Sequence, residues 1–222
     1  MAKVFLSAGH GGKDPGAVAL GLKEKDCNLQ MLLACNEVLI RHGVSVVCSR
    51  TKDEDDPWRD EVKEANASGC DIAVSFHNNA GGGDGFEGLY YPSKKNTKGK
   101  DLAAVCEKYA KALGQNSRGL KPRAELGFLK NTKMPAVILE SFFLDNDKDN
   151  DIGDTVAEQR AFGVAYAKAI LEYLGIAYQE EKPSSSSVMY KVQCGAFSVK
   201  ANAEKLAKEL NSKGYRCFIV KG

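Results

Sequence analysis

Three side chains that can bind a metal or move a proton follow apolar runs with the composition of buried strands. They are His10, His77 and Glu140, which come after the runs Val4–Gly9, Ile72–Phe76 and Ala136–Leu139. In proteins that alternate strands and helices, ligands and catalytic groups collect at the carboxyl ends of the strands. Because the chain has only 3 histidines, two of them in such positions indicate a single assembled site.

The ligand types at these positions favour zinc. Each histidine taken alone is explained as well by a structural hydrogen bond. Two imidazoles and a carboxylate together, however, form the three-ligand set of a catalytic zinc ion, which keeps one position open. Non-haem iron uses the same ligand types but commonly has an acid two residues after the first histidine, whereas Gly11-Gly12 and Asn78-Asn79 follow here. One Zn²⁺ ion is therefore expected.

Two glutamates are candidates for the acidic roles. Glu24 begins a predicted helix, where an acid in the first turn is also favoured by the helix dipole, so capping and metal binding both explain it. Glu140 lies in an apolar segment that would raise its pKa towards the range of a general base, although an isolated acid at a strand end is more often solvated. His42 precedes Gly43 at a predicted helix end and is expected to be structural.

The glycine-rich loop at residues 8–17 is not a typical nucleotide-binding loop. It lacks the Gly-Lys-Ser/Thr ending of phosphate-binding loops, and Asp14 stands where the dinucleotide fingerprint has its third glycine. We therefore expect the glycines to let the backbone fold tightly around His10.

The composition excludes several classes of protein. A chain of 222 residues can hold one domain with a substantial core and a small appendage. The net charge of +2 gives no case for nucleic acid, and no run of about 18 apolar residues predicts membrane insertion. The amino terminus enters a strand without a leader pattern, which predicts synthesis in the cytoplasm. The 7 cysteines are scattered singly and are expected to be buried free thiols.

The apolar periodicity predicts an α/β fold. The expected strands are Val4–Ala8, Val44–Ser49, Asp71–Phe76, Gly85–Tyr91 and Ala136–Glu140, with Gly85–Tyr91 at an edge. The expected helices are Glu24–Arg41, Pro57–Ser68, Asp101–Leu113 and Thr155–Leu174. This order predicts a mainly parallel, twisted sheet of about five to six strands with helices on both faces.

The chain divides into three predicted segments. Residues 1–176 form the main domain, and residues 177–188 are a serine-rich linker. Residues 189–222 carry a strand (Tyr190–Cys194), a helix (Ala201–Ser212) and a strand (Tyr215–Val220). This incomplete β-α-β segment is below the size at which a domain usually folds alone.

Four segments of the main domain resemble a known enzyme family. They are residues 7–17, 21–29, 75–80 and 129–140, and together they resemble the zinc-dependent N-acetylmuramoyl-L-alanine amidases of the type-3 class over residues 1–175. The resemblance implies that His10, Glu24 and His77 bind zinc and that Glu140 is catalytic. It also implies hydrolysis of the amide between N-acetylmuramic acid and L-alanine, as in an endolysin or autolysin.

The carboxyl-terminal tail resembles the first half of a sporulation-related repeat (SPOR) domain, on residues 190–198, 202–204 and 214–220. This resemblance implies peptidoglycan as the partner. A second copy of the tail could complete the module, so a tail-mediated dimer is one expectation, while the oligomeric state stays open. Wall substrate and a missing leader together imply release by phage lysis or mother-cell lysis.

Two other functions use the same residues. A zinc peptidase that cuts within the stem peptide needs the same apparatus, and a wall-binding protein could keep the fold without the chemistry. Arg59, Asn79 and Thr132 lie near the family motifs and could bind sugar or peptide groups, although surface ion pairs and turn hydrogen bonds explain them equally well.

Overall fold

The computed structural model describes residues 2–93, 97–180, 194–213 and 219. The chain forms two compact units, Met1–Gln179 and Glu180–Gly222. The first unit contains the sheet and all the candidate site residues.

Among its described residues, the first unit has eight strands, six of which form one sheet. In chain order the eight strands are β1 (Lys3–Ala8), β2 (Val18–Ala19), β3 (Leu22–Lys23), β4 (Ser45–Cys48), β5 (Ile72–Asn79), β6 (Phe86–Tyr90), β7 (Ser117–Pro122) and β8 (Ala136–Phe143). The six-stranded sheet has the order β4-β1-β5-β8-β6-β7, and β2 and β3 pair separately as a short antiparallel ribbon. Strands β4, β1, β5 and β8 are parallel to one another, whereas β6 is antiparallel to β8 and parallel to β7. The predicted mainly parallel sheet is confirmed.

Helices cover both faces of this sheet, as predicted. They are α1 (Glu24–Arg41), α2 (Trp58–Ser68), α3 (Lys98–Ala112), α4 (Gly127–Asn131), α5 (Asp147–Asn150) and α6 (Val156–Tyr173). Helix α6 packs against both α1 and α3 on one face, and α2 packs with α4 on the other. Alternate residues of the strands enter the two cores, since Val74 and Phe76 join the first and Ala73 joins the second.

Local sequence signals explain where the helices begin and end. Thr155 and Glu158 form a reciprocal capping box at the start of α6. Helix α2 begins after Pro57 rather than with it, and it ends at Gly69, whose φ of 68° is left-handed. Helix α3 begins at Lys98, three residues before the predicted start.

Two strands are longer than the apolar runs that predicted them. Strand β5 continues through His77 to Asn79, and β8 continues through Glu140 to Phe143. His77 and Glu140 are direct neighbours in the parallel register of these strands. The two residues therefore lie within the sheet rather than just beyond it, because backbone pairing continues where the side chains become polar.

The expectation that residues 85–91 form an edge strand is wrong. Strand β6 lies between β8 and β7, and β7 is the edge. The sequence of β7, Ser-Arg-Gly-Leu-Lys-Pro, has little of the apolar alternation that identifies a strand. Its polar side chains suit an edge strand that is partly open to solvent.

The second unit contains helix α7 (Lys200–Ser212), which agrees with the predicted helix Ala201–Ser212. The predicted strand Tyr215–Val220, most of Tyr190–Cys194 and most of the linker at 177–188 lie outside the described residues. Among the described helices, none is long and apolar enough to cross a bilayer.

The cysteines and His42 have structural environments. All six described cysteines are free thiols, as predicted, and four of them are buried. The expectation of burial is wrong for Cys48, which is partly buried, and for Cys194, which is exposed; Cys217 lies outside the described residues. His42 caps the end of α1, where its Nδ1 lies 2.7 Å from the carbonyl oxygen of Val38. Its Nε2 accepts a hydrogen bond from the backbone of Gln179, which agrees with the predicted structural role.

The close approach of α1 and α6 depends on a glycine. A Cβ atom at Gly163 would lie 2.2 Å from the carbonyl oxygen of Met31 and 2.9 Å from the Cβ of Ala34. The two helices therefore meet at Gly163 with no room for a further methyl group. Nearby, the buried hydroxyl of Tyr166 donates to Ser141 Oγ over 2.9 Å.

We expect Gly163→Ala to lower the free energy of unfolding by about 1–3 kcal/mol, because overpacking forces the two helices apart. Alanine favours an isolated helix over glycine by about 1 kcal/mol, so a purely local effect has the opposite sign. Urea unfolding monitored by circular dichroism distinguishes overpacking from the local helix preference of alanine. A variant as stable as the parent would contradict the close packing.

Candidate metal centre

The structure brings together the three residues that the family resemblance implied as metal ligands. One ligand atom from each of His10, Glu24 and His77 lies within 4.8 Å of the other two. Glu24 stands between the imidazoles, with Oε2 3.2 Å from His10 Nε2 and Oε1 3.0 Å from His77 Nδ1. No other group of three such side chains is found among the described residues. Two imidazoles and one carboxylate form a candidate site for a metal ion.

His10 is held in an unusual backbone conformation. Its φ of 66° lies in the left-handed region, which costs a non-glycine residue free energy and often marks a functional position. Asp14 Oδ2 lies 2.8 Å from His10 Nδ1. This contact fixes the ring so that Nε2 faces Glu24, as carboxylates do behind metal-binding histidines.

The loop that carries His10 is braced by the segment that follows β4. The buried Arg50 guanidinium donates from Nε to the carbonyl of Ala8 and from Nη2 to that of Lys25. Lys25 Nζ donates to the Gly12 carbonyl and to Asp53 Oδ2. These contacts tie the end of β1 to the start of α1, and so bring His10 to Glu24.

Two glycines leave the space that the three ligand side chains occupy. A Cβ at Gly9 would lie 2.1 Å from the His77 ring. A Cβ at Gly16 would lie 2.6 Å from Glu24 Oε2 and 2.7 Å from His10 Cδ2, and Gly16 also has a left-handed φ of 64°. The sequence prediction that glycines allow the backbone to fold around His10 is supported at both positions.

The charges at the site stabilise one another. Burial opposes ionisation of Glu24, but hydrogen bonds and charge from the two histidines hold its pKa well below the usual range. Burial also opposes the charged form of His10, yet hydrogen bonds and charges of Glu24 and Asp14 raise its pKa to about 9. A bound cation has to displace protons from these imidazoles, so metal affinity should rise with pH.

Backbone and amide groups complete the surroundings of Glu24. The backbone N–H of Ala17 donates to Oε2 and that of Asn78 donates to Oε1. The buried side chain of Asn28 donates to the Gly9 carbonyl and accepts from Asn78 Nδ2. The carboxylate is thus fixed from β5, from α1 and from the loop after β1.

Glu140 lies beside this cluster in a different environment. Burial is the main cause that raises its pKa to about 7; the nearby histidines oppose the shift, and the carboxylates of Glu24 and Glu87 add to it. Two carboxylates of one site therefore differ in pKa, as general acid–base chemistry requires.

A second buried acid lies on the same face of the sheet. Ser7 Oγ donates to Glu61 Oε2 over 2.8 Å, and Ser75 Oγ lies 3.2 Å from Ser7 Oγ. Burial raises the pKa of Glu61 to about 7, and the charge of Asp56 contributes. Glu61 could not be identified from the sequence, because an acid within a polar helix gives no signal of burial.

The three predicted substrate contacts are placed differently from one another. Asn79 lies at the end of β5, two residues beyond His77. The Arg59 guanidinium stacks over Trp58 at 4.6 Å at the start of α2. Thr132 follows α4, where its hydroxyl donates to the Phe128 carbonyl, ahead of the amino end of β8. The structure therefore brings Asn79 near the cluster and leaves Thr132 near the opposite, amino-terminal end of β8.

The residues that orient the candidate ligands could not be identified from the sequence alone. Asp14 lies four residues after His10, and its polar character in a glycine-rich loop is only a weak local signal. Arg50, Asn28 and Asn78 are buried polar residues whose partners are distant in sequence. Only the tertiary structure could pair them.

Comparison with known proteins agrees with this geometry. The profile of the family described as N-acetylmuramoyl-L-alanine amidase matches residues 4–172, and the SPOR domain profile matches residues 167–222. The sporulation-specific N-acetylmuramoyl-L-alanine amidase of Bacillus subtilis (strain 168) is 35% identical over 99% of this chain and 85% of its own length. The endolysin of Bacillus phage SPP1 is 39% identical over 82% of this chain and 72% of its own.

Among solved structures, the catalytic domain of CwlV, an N-acetylmuramoyl-L-alanine amidase of Bacillus (Paenibacillus) polymyxa var. colistinus, superposes with a TM-score of 0.73. It is 32% identical, and the match covers 80% of this chain and 100% of that domain. The shared fold thus includes the sheet that carries the candidate ligands.

Gly16→Ala should weaken metal binding about tenfold or more, because the added methyl group displaces Glu24 and His10. Gly21→Ala is the matched control: Gly21 also has a left-handed φ, 84°, but nothing lies within 4 Å of its Cβ position. Both variants should lose about 1–2 kcal/mol of stability from backbone strain. Calorimetric titration with zinc as the probe ion separates them, and equal affinities would contradict the crowding at residue 16.

Glu61 should make the metal-free protein less stable as pH rises. Its pKa is about 7 in the folded state and 4.5 in the unfolded chain, so the folded state binds more protons between these values. This stabilisation is complete below pH 4.5 and is lost as the pH rises through 7, amounting to about 3 kcal/mol. Glu61→Gln should reduce the difference, and the raised pKa values of Glu140 and His10 should account for a part that remains. Urea unfolding of chelated protein at pH 5 and pH 8 tests this, and parallel pH profiles for both proteins would refute it.

Proposed function

Because this chain belongs to the N-acetylmuramoyl-L-alanine amidase family, we propose that His10, Glu24 and His77 hold one zinc ion in its active site, with Glu140 as the general base. As an amidase the enzyme hydrolyses the bond between N-acetylmuramic acid and L-alanine in peptidoglycan. The observation that carries the assignment is the position of Glu140 beside His77 in adjacent strands, next to the three-residue cluster.

The donor set supports zinc. Three protein ligands of nitrogen and oxygen type leave a position open, which is the pattern of catalytic rather than structural zinc sites. The contact between Asp14 and His10 orients one imidazole in advance. A zinc ion bound there lowers the pKa of water and polarises the substrate carbonyl.

The remaining steps depend on Glu140. With a pKa raised to about 7, its carboxylate can accept a proton from the attacking water and its acid form can return that proton. The water oxygen bonds to the lactyl carbonyl carbon, and the proton passes to the alanine nitrogen as the amide bond breaks.

The rest of the chain serves the same substrate. We infer that residues 1–176 form the catalytic domain and that residues 189–222, after the linker at 177–188, bind peptidoglycan through the SPOR-like segment. Asn79, at the end of β5, and Arg59, at the start of α2, remain the proposed substrate contacts. The names of two relatives, a sporulation-specific amidase and a phage endolysin, suggest wall lysis as the context.

Glu140→Gln should reduce turnover by about 10²–10⁴-fold, because the amide cannot accept the proton. The assay is digestion of purified cell walls with identification of the new chain ends. An amidase frees the amino group of L-alanine, whereas a peptidase frees amino groups farther along the stem. Chelation should abolish the parent activity, and added zinc should restore it.

The control is Glu172→Gln, which alters an exposed carboxylate on α6 that pairs with Lys108. It should leave the activity unchanged. The Glu140→Gln protein should still bind one zinc ion and unfold at the same temperature as the parent. Turnover by a folded, zinc-loaded Glu140→Gln protein would remove Glu140 from the mechanism.

A further inference from the structure

A charged cavity of about 400 Å³ adjoins the active site on the side of β6 and β7. Its lining includes Asn79, which lies two residues beyond His77 in β5, and the glycine-rich loop 80–83. The carboxylate of Asp145 holds this loop by accepting the backbone N–H groups of Gly81 and Gly82. The cavity wall nearest the site is therefore an ordered loop at the carboxyl end of β5.

The other wall carries three cations, and two carboxylates contact them. Glu87, which is buried, accepts from Arg118 Nε at 2.5 Å and from Lys121 Nζ at 2.6 Å. Arg123 lies 3.8 Å from the exposed Glu125. Since the two carboxylates of Glu87 and Glu125 face three cationic side chains, this wall keeps a net positive charge that favours an anion.

These cations stay partly accessible. The side chains of Arg118, Lys121 and Arg123 are 39%, 30% and 43% exposed, whereas that of Glu87 is only 6% exposed. Arg118 also stacks over the ring of Phe143 at 5.1 Å, which limits its motion. Donors that are held in place and open to solvent are suited to bind a carboxylate through charge-assisted hydrogen bonds.

The spacing relates this cavity to the bond that is cut. Glu87 is the direct cross-strand neighbour of Glu140, so the two side chains lie on the same face of the sheet. Adjacent strands are about 4.8 Å apart, and β6 lies between β8 and β7, so the cations in and just after β7 lie at least two strand spacings, roughly 10 Å, from the backbone of Glu140. An extended peptide advances about 3.3–3.6 Å per residue. The second residue beyond the scissile amide therefore reaches the cavity.

We propose that this cavity is a specificity site for the stem peptide, in which Arg118, Lys121 and Arg123 bind a free carboxylate on the second residue after the scissile bond. The inference rests on the proposed amidase function and adds its substrate class: stems with an ionised second residue are preferred over stems in which that carboxylate is an amide. Glu87 competes with the substrate carboxylate for the same cations.

Two muramyl tripeptides that differ in one group test the proposal. They are N-acetylmuramoyl-L-Ala-γ-D-Glu-L-Lys and the same molecule with D-isoglutamine at the second position. The measured quantity is the preference, defined as kcat/KM for the glutamate compound divided by kcat/KM for the isoglutamine compound. The parent enzyme should show a preference of about tenfold or more, as expected for a charge-assisted contact.

Two variants should change this preference in opposite directions. Arg123→Gln should reduce it several-fold, and it leaves both partners of Glu87 in place. Glu87→Gln should increase it, because Arg118 and Lys121 are released from a competing carboxylate. Any effect of Glu87 on the pKa of Glu140 acts on both substrates and cancels in the ratio. Lys108→Gln, on α3, is the charge-matched control and should not alter the preference.

Binding of the two tripeptides to the Glu140→Gln protein provides a readout that does not need turnover. If the Glu140→Gln protein binds the glutamate compound more tightly and this preference falls in Arg123→Gln/Glu140→Gln, the specificity site is supported. Failure of the parent to release any peptide would refute the proposed amidase function but would leave this binding result standing. Equal kcat/KM values for both compounds in an active parent, or preferences that are the same in Arg123→Gln and Glu87→Gln, would overturn the inference.

Discussion

The placement of one buried carboxylate organises this protein. Glu24 has only 6% of its side chain exposed, and an unpaired charge in that position would be strongly unfavourable. It is stabilised by His10 and His77 and by two backbone N–H groups. Because these partners come from the loop after β1, from β5 and from the segment just before α1, satisfying Glu24 requires the candidate metal ligands to converge.

The convergence of these residues requires a strained and crowded loop around His10. The left-handed backbone of His10 and the crowding at Gly9 and Gly16 are tolerated because the buried Arg50 fixes the carbonyls at both ends of the loop. Such strain persists only where the surrounding structure determines the conformation. The site is therefore preorganised by the fold before any ligand is bound.

The register of the sheet separates the roles of the acids. Parallel pairing places Glu140 beside His77, and antiparallel pairing places Glu87 beside Glu140. Glu24 is held ionised by imidazoles, Glu140 has a raised pKa, and Glu87 is kept ionised by two cations despite its burial. Three carboxylates on neighbouring elements thus differ in proton affinity because their partners differ.

The sequence by itself determined the α/β fold, five of the six described strands of the sheet and the candidate residues His10, Glu24, His77 and Glu140, because apolar runs and the family motifs are local features. It did not reveal β7, whose polar sequence lacks a strand pattern, and so it placed β6 at the edge. Only the tertiary structure decided that Arg50 and Asp14 brace the ligands, that Glu61 is buried, and that the cations of β7 border the site. Those relations depend on contacts between residues far apart in the chain, which no local pattern encodes.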